Sequence, residues 1–214
     1  MLDSLQNYLT NLREQKAGVV DHLQAGATAT DLEVLDRLSN CEIPEAVKSM
    51  WHVFNGTSRP EGVTSGELWL DGNFIFFSVG EAVQDYGLSQ KLWEEDPDFE
   101  NYLPKGFLPI ATPGEGSRLL VNCRPSSPTH GGIYELLHGH GIVKHSASLS
   151  DYFKTLLAAL KQGGLVIKEA RVKFVEGVFD GIAKQMNPHC DAFNTDLPAA
   201  MDTRDWLSNN EGNT

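Results

Sequence analysis

Three histidines in the second half of the chain have the clearest potential for metal chemistry. His138 and His140 are two positions apart, and His145 follows on the next predicted strand. Two imidazoles on one strand face and a third from a neighbouring strand could hold zinc. No cysteine or carboxylate is spaced to complete the ligand set, and Gly139 and Gly141 are typical of a hairpin tip. A polar hairpin tip is thus the competing interpretation, and no cofactor or metal is predicted.

A glycine-containing turn at 114–117 is the second candidate for catalysis. Gly114-Glu115-Gly116-Ser117 is similar to the turn that carries a serine nucleophile, but Leu119 stands where a further glycine is required. A dinucleotide-binding fingerprint would need a third glycine as well. The acids of the chain show no recognisable catalytic spacing either. The turn therefore reads as part of a hairpin, and no catalytic residue is predicted.

The segment from Trp93 to Tyr102 has the most unusual composition, because acidic and aromatic residues alternate there. Eight acidic and two basic residues lie between 81 and 115. One interpretation is a solvated loop. The other is a docking edge for a basic protein, where aromatic side chains anchor the partner and acids steer its approach. The predicted partner-binding residues are Trp93, Glu94, Glu95, Asp96, Asp98, Phe99, Glu100 and Tyr102, together with Thr57 and Ser58.

The overall charge agrees with a protein partner better than with nucleic acid. The 214 residues include 17 Lys and Arg and 29 Asp and Glu, which gives a net charge of −12. Direct binding to nucleic acid is disfavoured, because it depends largely on basic side chains. The three cysteines are far apart, the first residues do not resemble a signal peptide, and no apolar run approaches the ~20 residues of a membrane helix. We expect a cytoplasmic protein without membrane contact.

Helical periodicity predicts the elements at both ends of the chain. Leucines at 2, 5, 9 and 12 form one face of a first helix. A later helix starts at Pro44, buries Trp51 and Phe54, and ends at Asn55-Gly56, so that Thr57 and Ser58 are expected to be exposed. Residues 79–93 are predicted to be helical, and a capping box at Ser148 starts a further helix that ends at 163–164.

Short apolar runs between these helices predict strands. A hairpin is expected over 67–77, with Asp71-Gly72 as its turn, followed by antiparallel strands. These strands are expected at Phe107–Ala111, Arg118–Cys123, Gly132–Leu137 and Ile142–His145. Helices, a cluster of strands and then helices again indicate an α+β fold.

The end of the chain is predicted to be an extension of the main domain. Residues 165–186 form an amphipathic stretch that we expect to be one long helix, and the sequence turns polar and acidic from Pro188. The expected division is a domain over 1–162, with a core at about 28–162, and a helical extension over 163–214 that packs on the same domain.

Three motifs in order resemble the Smi1/Knr4 (SUKH) superfamily, and the likeness covers roughly 28–162. The motifs are IPEAVKSMWHVFNGTS (43–58), FLPIATPGEGSRLLVNC (107–123) and GGIYELLHGHGIVKHSASLSDYFKTLLAAL (131–160). The sequence departs from the family pattern at Pro113, where an acid is usual. It departs again at the end of the 118–123 strand, where Asn122 and Cys123 replace an aspartate, and at Leu149, where a phenylalanine is usual.

The resemblance implies a bent, mostly antiparallel sheet with helices packed against it and no catalytic site. Many bacterial members are similar to immunity proteins, which bind and neutralise a cognate toxin. Fungal members are linked to cell-wall regulation and signalling. We therefore expect an immunity protein that occludes a basic, nucleic-acid-targeting toxin. A regulatory scaffold and a metal-dependent enzyme are the alternatives. The toxin and the oligomeric state stay open.

Overall fold

The longer helices of the chain form where apolar residues repeat along one face. The computed structural model describes residues 3–96, 98–99, 103–114, 116–137 and 141–190. Its helices are α1 (Asp3–Glu14), α2 (Ala29–Glu33), α3 (Glu45–Val53), α4 (Ser65–Leu68), α5 (Val79–Glu95), α6 (Leu149–Gln162) and α7 (Val178–Met186). Short 3-10 helices lie at Gly18–His22 and Val34–Arg37.

Side-chain caps fix the beginnings of the helices that matter for the sites described below. Ser78 accepts a hydrogen bond from the backbone N–H of Glu81, whose carboxylate accepts one from Ser78 in return, so α5 begins with a capping box. Ser148 caps α6 by accepting from the N–H of Asp151, and Gly163 ends that helix with a φ of 78°. The predicted start and end of α6 are confirmed.

The strands form an antiparallel meander. They are β1 (Ile75–Phe76), β2 (Phe107–Gly114), β3 (Ser117–Asn122), β4 (Ile133–Leu137) and β5 (Gly141–Ser146). Each strand pairs with the next in sequence, so the order in the sheet is β1-β2-β3-β4-β5. The β2–β3 register shifts at two places, and such bulges bend a sheet. The predicted α+β class is confirmed.

Helices pack against this sheet and against each other around one core. α1 lies on α6, and their buried faces meet through Tyr8 and Phe153, whose ring centroids are 6.2 Å apart. Trp51 of α3 is fully buried, and its indole N–H donates to the Phe77 carbonyl at 2.9 Å. α3 ends at Val53 and Phe54 follows in extended conformation, so Asn55 and Gly56 lie just after the helix end and not at its cap, as the prediction had placed them. Gly56 has a φ of 80°, and a Cβ there would lie 2.2 Å from the Ser78 nitrogen.

The predicted hairpin over 67–77 is wrong in its first strand. Thr64 and Glu67 form a capping box, so Ser65–Leu68 folds as a helical turn instead of a strand. The chain still reverses direction after it, because the Leu70 N–H donates to the Phe74 carbonyl at 3.0 Å. Only Ile75 and Phe76 then join the sheet, next to β2.

The prediction of a single helix over 165–186 is also wrong. Its first part is a two-stranded antiparallel hairpin of β6 (Leu165–Lys168) and β7 (Arg171–Phe174), and only its second part is helical, as α7. Both parts bury apolar side chains in the common core, among them Leu165, Val172 and Ile182. None of the helices in the described ranges has the length and apolar character needed to cross a membrane.

Candidate functional site

The predicted acidic residues lie at the carboxyl end of α5. Glu94, Glu95, Asp96 and Asp98 are all exposed. The Asp96 carboxylate accepts a hydrogen bond from the Asp98 N–H at 3.0 Å, which holds the chain in a turn after the helix. The part of this segment that the structure describes therefore presents four carboxylates to solvent.

The aromatic residues of the same segment have a different position from the acids. Trp93 is only 7% exposed, and its indole N–H donates to the Leu103 carbonyl at 2.6 Å. Its ring also packs edge-on against Tyr86. Phe99 is half-buried against the core. Trp93 thus anchors the end of α5 to the core. Glu100 and Tyr102 lie outside the described residues.

Two leucines supply the apolar exposure that the sequence assigned to aromatic residues. Leu88 is 52% exposed and Leu92 is 42% exposed. Together with Glu95 they follow the i, i+4, i+7 spacing of one helix face. We define the α5 surface as Leu88, Leu92, Glu94, Glu95, Asp96 and Asp98. Sequence reasoning missed the leucines because a leucine at helical spacing is usually a core residue.

Salt bridges and hydrogen bonds hold α5 rigidly under this surface. Asp85 receives two hydrogen bonds from the Arg118 guanidinium of β3, at 2.7 and 3.1 Å. On another side, Tyr86 donates to the Ser39 carbonyl at 2.8 Å. These contacts join the helix to the sheet and to the loop after the second 3-10 helix, so the α5 surface is a preformed one.

Thr57 and Ser58 do not belong to the α5 surface. Thr57 is 1% exposed, so the expectation that it is exposed is wrong. Its N–H donates to the Phe76 carbonyl at 3.0 Å, and its hydroxyl has no hydrogen-bond partner within the described part of the chain. The Ser58 hydroxyl donates to the His22 carbonyl at 2.9 Å. Both residues hydrogen-bond to neighbouring segments of the chain. Their role in binding a partner stays a prediction.

The histidine group is only partly within the described residues, since His138 and His140 lie outside them. His145 is on β5, and its Nε2 is 3.3 Å from a carboxylate oxygen of Glu135 on β4. Within the described ranges, no group of three histidine, cysteine or acidic side chains is arranged to hold a metal ion.

His145 and Glu135 instead belong to a cavity that the sequence did not reveal. Its volume is about 320 Å³, and it lies between the sheet, α6 and the C-terminal elements β7 and α7. Its lining contains both apolar and polar side chains. Its lining includes Asp71, Phe74, Glu135, His145, Tyr152, Phe174, Glu176, Phe179 and Asp180.

Asp71 is the most deeply buried carboxyl of the cavity, at 1% exposure. One of its oxygens accepts hydrogen bonds from the N–H groups of Asn73, at 2.9 Å, and Phe74, at 2.7 Å. The other accepts a short hydrogen bond from the Tyr152 hydroxyl of α6. Asp71 therefore fixes the turn before β1 and joins it to α6, 81 residues away.

Burial also determines the protonation of this group of residues. Burial raises the pKa of Asp71, although the hydrogen bonds from Tyr152, Asn73 and Phe74 oppose the change. Burial, reinforced by the charge of Asp71, raises the pKa of Tyr8 and Tyr152 well above the usual value. Both tyrosines therefore stay protonated donors. The Tyr8 hydroxyl donates to the Leu70 carbonyl at 2.8 Å, next to Asp71.

The raised pKa makes Asp71 a source of pH-dependent stability. Folded Asp71 binds its proton more tightly than unfolded Asp71, so its contribution to stability is complete below the ordinary aspartate pKa and is lost as the pH rises through the raised one. We expect the free energy of unfolding of the native protein, relative to Asp71→Asn, to fall as the pH increases from about 3 to about 8. Urea unfolding of both proteins across this range measures the difference. A difference that grows with pH contradicts the assignment.

The C-terminal elements close the cavity and are anchored on α6. The Asn187 side-chain amide, at the end of α7, donates to the Thr155 hydroxyl at 2.9 Å. The rings of Phe174 and Phe179 pack together with their centroids 4.4 Å apart. Phe174 also approaches Gly72, where an added Cβ would lie 3.3 Å from the ring. The extension thus contributes one wall of the cavity.

Comparison with known protein families agrees with the sheet and helices described above. Residues 26–155, which run from α2 into α6 and include the whole five-stranded sheet, match the SMI1/KNR4 family (SUKH-1). The chain belongs to this family. The predicted resemblance to the Smi1/Knr4 superfamily is confirmed. A comparison with curated proteins finds no match.

The family match covers residues 26–155 and leaves the C-terminal elements outside it. SMI1/KNR4 members are generally non-catalytic modules, and they bind partner proteins. Asp71, Glu135, His145 and Tyr152 lie within the matched range. The wall made by β7 and α7 lies beyond it, so the completed cavity depends on residues that the family match does not cover.

Proposed function

We propose that this SMI1/KNR4 protein is a non-catalytic binding module of the immunity type, which neutralises a cognate toxin by stoichiometric binding. The family supports a binding role, because its members bind partner proteins. The net charge of −12 favours a basic partner. A toxin that acts on nucleic acid fits this description, since its substrate cleft must be basic. The protein would work in the cytoplasm, where such a toxin meets its target.

The observation that carries the proposal is the exposure of acids and leucines together on the α5 surface. Glu94, Glu95 and Asp96 lie at the carboxyl end of α5, where the helix dipole is negative, and no basic residue stands in the last turn. Acids at this end of a helix are electrostatically unfavourable. Glu94 and Glu95 therefore do not stabilise α5, which supports a role in binding. Leu88 and Leu92 beside them offer apolar area that a partner can desolvate.

The mechanism is occlusion of the toxin's cleft. The acids of the α5 surface attract a basic cleft over a distance of about a Debye length, which is ~8 Å at physiological salt. The two leucines are then buried against the partner and slow its dissociation. Because α5 is held by Asp85, Tyr86 and Trp93, little conformational order has to be gained on binding. The toxin is inhibited because nucleic acid and the immunity protein compete for one site.

The test begins with the gene adjacent to the one that encodes this chain. Its product, expressed with a tag together with the full chain, is expected to purify as an equimolar complex in which its toxic activity is lost. Activity that persists at a saturating excess of this protein contradicts neutralisation. Stable binding to a protein without toxic activity would indicate the regulatory scaffold instead.

A further inference from the structure

The cavity between the sheet, α6 and the C-terminal elements has the features of a ligand site. Its volume of about 320 Å³ is in the range of small-molecule sites, which begin at ~300 Å³. Aromatic and aliphatic side chains make its walls, namely Phe74, Leu156, Phe174 and Phe179. Polar groups converge at its base from the turn before β1, from β4, from β5 and from α6. This combination of apolar walls and few convergent polar groups is typical of a site that orients a ligand.

Most ionisable side chains of the lining are carboxyl groups, which favour a positively charged guest. Four carboxyl groups face the cavity, and His145 is the only basic side chain among its lining residues in the described part of the chain. Asp71 and Glu135 lie at the base, where both are shielded from solvent. Glu176 and Asp180 are exposed and mark the mouth. The carboxylates would repel an anion, and a purely apolar guest would leave the Glu135 carboxylate without a further polar partner.

We propose that this cavity binds an organic cation, an ammonium or guanidinium group carried on an apolar stem. The cationic head reaches Glu135, and the stem lies against the rings of Phe174 and Phe179. The Glu135 carboxylate can accept further hydrogen bonds from a cationic head group. It contacts His145 through one oxygen at 3.3 Å, and a carboxylate offers about four lone-pair positions. The two packed aromatic rings add cation–π attraction to the head group as it passes along them.

The ligand is defined by its chemistry, and two sources can provide it. One is a free amine or guanidine of the cell. The other is an arginine or lysine side chain of a protein that covers the mouth of the cavity. The site does not include any residue of the α5 surface, so it can exist whether or not the proposed toxin binding is correct.

The direct test is a titration of the isotope-labelled full chain, followed by NMR. N-butylguanidine, which has a guanidinium head on a four-carbon stem, is the probe for a free cation, and the peptide Gly-Gly-Arg-Gly-Gly is the probe for a side chain. N-butylurea has a similar shape without charge and is the matched control. We expect saturable shifts of Tyr152, Phe174 and Phe179 with a dissociation constant of about 1 mM or tighter for a cationic probe, and none with N-butylurea.

Two variants locate the binding. Glu135→Gln is expected to lower the affinity for the cationic probe about tenfold, because a charge-assisted hydrogen bond is lost. Glu176→Gln, at the exposed mouth, is expected to lower the same affinity about twofold. This variant tests the charge of the site even if Glu135→Gln disturbs the fold. Glu33→Gln, on the exposed side of α2, is the control and should bind normally.

The outcomes separate clearly. Preference for N-butylguanidine identifies a free cation as the ligand, and preference for the peptide identifies a basic side chain. Either result with the expected variant effects supports the site. Absence of saturable shifts with both probes overturns it, as does equal binding of N-butylurea or unchanged affinity in both Glu135→Gln and Glu176→Gln.

Discussion

Replacement of Asp71 by alanine is expected to lower the free energy of unfolding by about 3 kcal/mol. The Asp71 carboxylate satisfies the Phe74 N–H and the Tyr152 hydroxyl, and both of these residues are buried. Without it, two buried donors lose their acceptor, and each costs about 1–3 kcal/mol. Relief from burying the carboxyl offsets part of this loss. The turn before β1 also loses its connection to α6.

Chemical unfolding of matched variants measures this effect. Asp21→Ala removes an aspartate that is exposed in the first 3-10 helix, and it is expected to change stability by less than about 0.5 kcal/mol. Asp71→Asn keeps an oxygen for the two N–H groups and should be less harmful than Asp71→Ala. If Asp71→Ala unfolds no more easily than Asp21→Ala, the network has no stabilising role and the base of the cavity is not held as described.

Asp71 also shows which features of this protein the sequence can predict and which it cannot. The sequence identified the turn at Asp71-Gly72, since both residue types favour turns. It also offered a signal of burial, because Asp71 is the only charged residue between 68 and 77, where most neighbours are apolar. It could not identify Tyr152 as the partner of Asp71, because no local spacing relates positions 81 residues apart. Glu135 and Asn187 were missed for the same reason.

Elements with a regular apolar period and a cap were predicted well, and elements that depend on unusual turn geometry were not. α6 has both signals, and its start and end were predicted. The β6–β7 hairpin turns at Glu169 and Ala170, which have φ values of 54° and 61°. Two residues with positive φ are typical of a tight hairpin turn, where Asn-Gly is the usual sequence. Glu-Ala carries no such signal, so the hairpin was taken as part of a helix.

On the α5 surface, the sequence did not predict which way each side chain points. The acids of the segment were predicted as a group, and Glu94, Glu95, Asp96 and Asp98 are exposed as that requires. The aromatic anchor was assigned from composition alone. On the helix, Trp93 points into the core and leaves the exposed positions to Leu88 and Leu92. Helical phase decides this, and the phase of α5 is set by its contacts with Arg118 and Ser39.

Neutralising the four acids of the α5 surface is expected to slow association with the cognate basic partner about 10- to 100-fold at low salt. The change is Glu94→Gln, Glu95→Gln, Asp96→Asn and Asp98→Asn in one protein. The association rate should also lose most of its dependence on ionic strength, while the dissociation rate changes little. The variant should fold normally, because acids at the carboxyl end of α5 oppose the helix dipole.

Stopped-flow association at several salt concentrations measures the effect, and a control of equal charge makes it specific. Glu14→Gln, Asp21→Asn, Glu61→Gln and Glu169→Gln remove four exposed acids from other elements, so the net charge changes by the same amount. Leu88→Ala with Leu92→Ala should instead accelerate dissociation, because the apolar contact is lost. If the control set slows association as much as the α5 set, steering depends on the whole charge of the protein and the α5 surface is not the docking site.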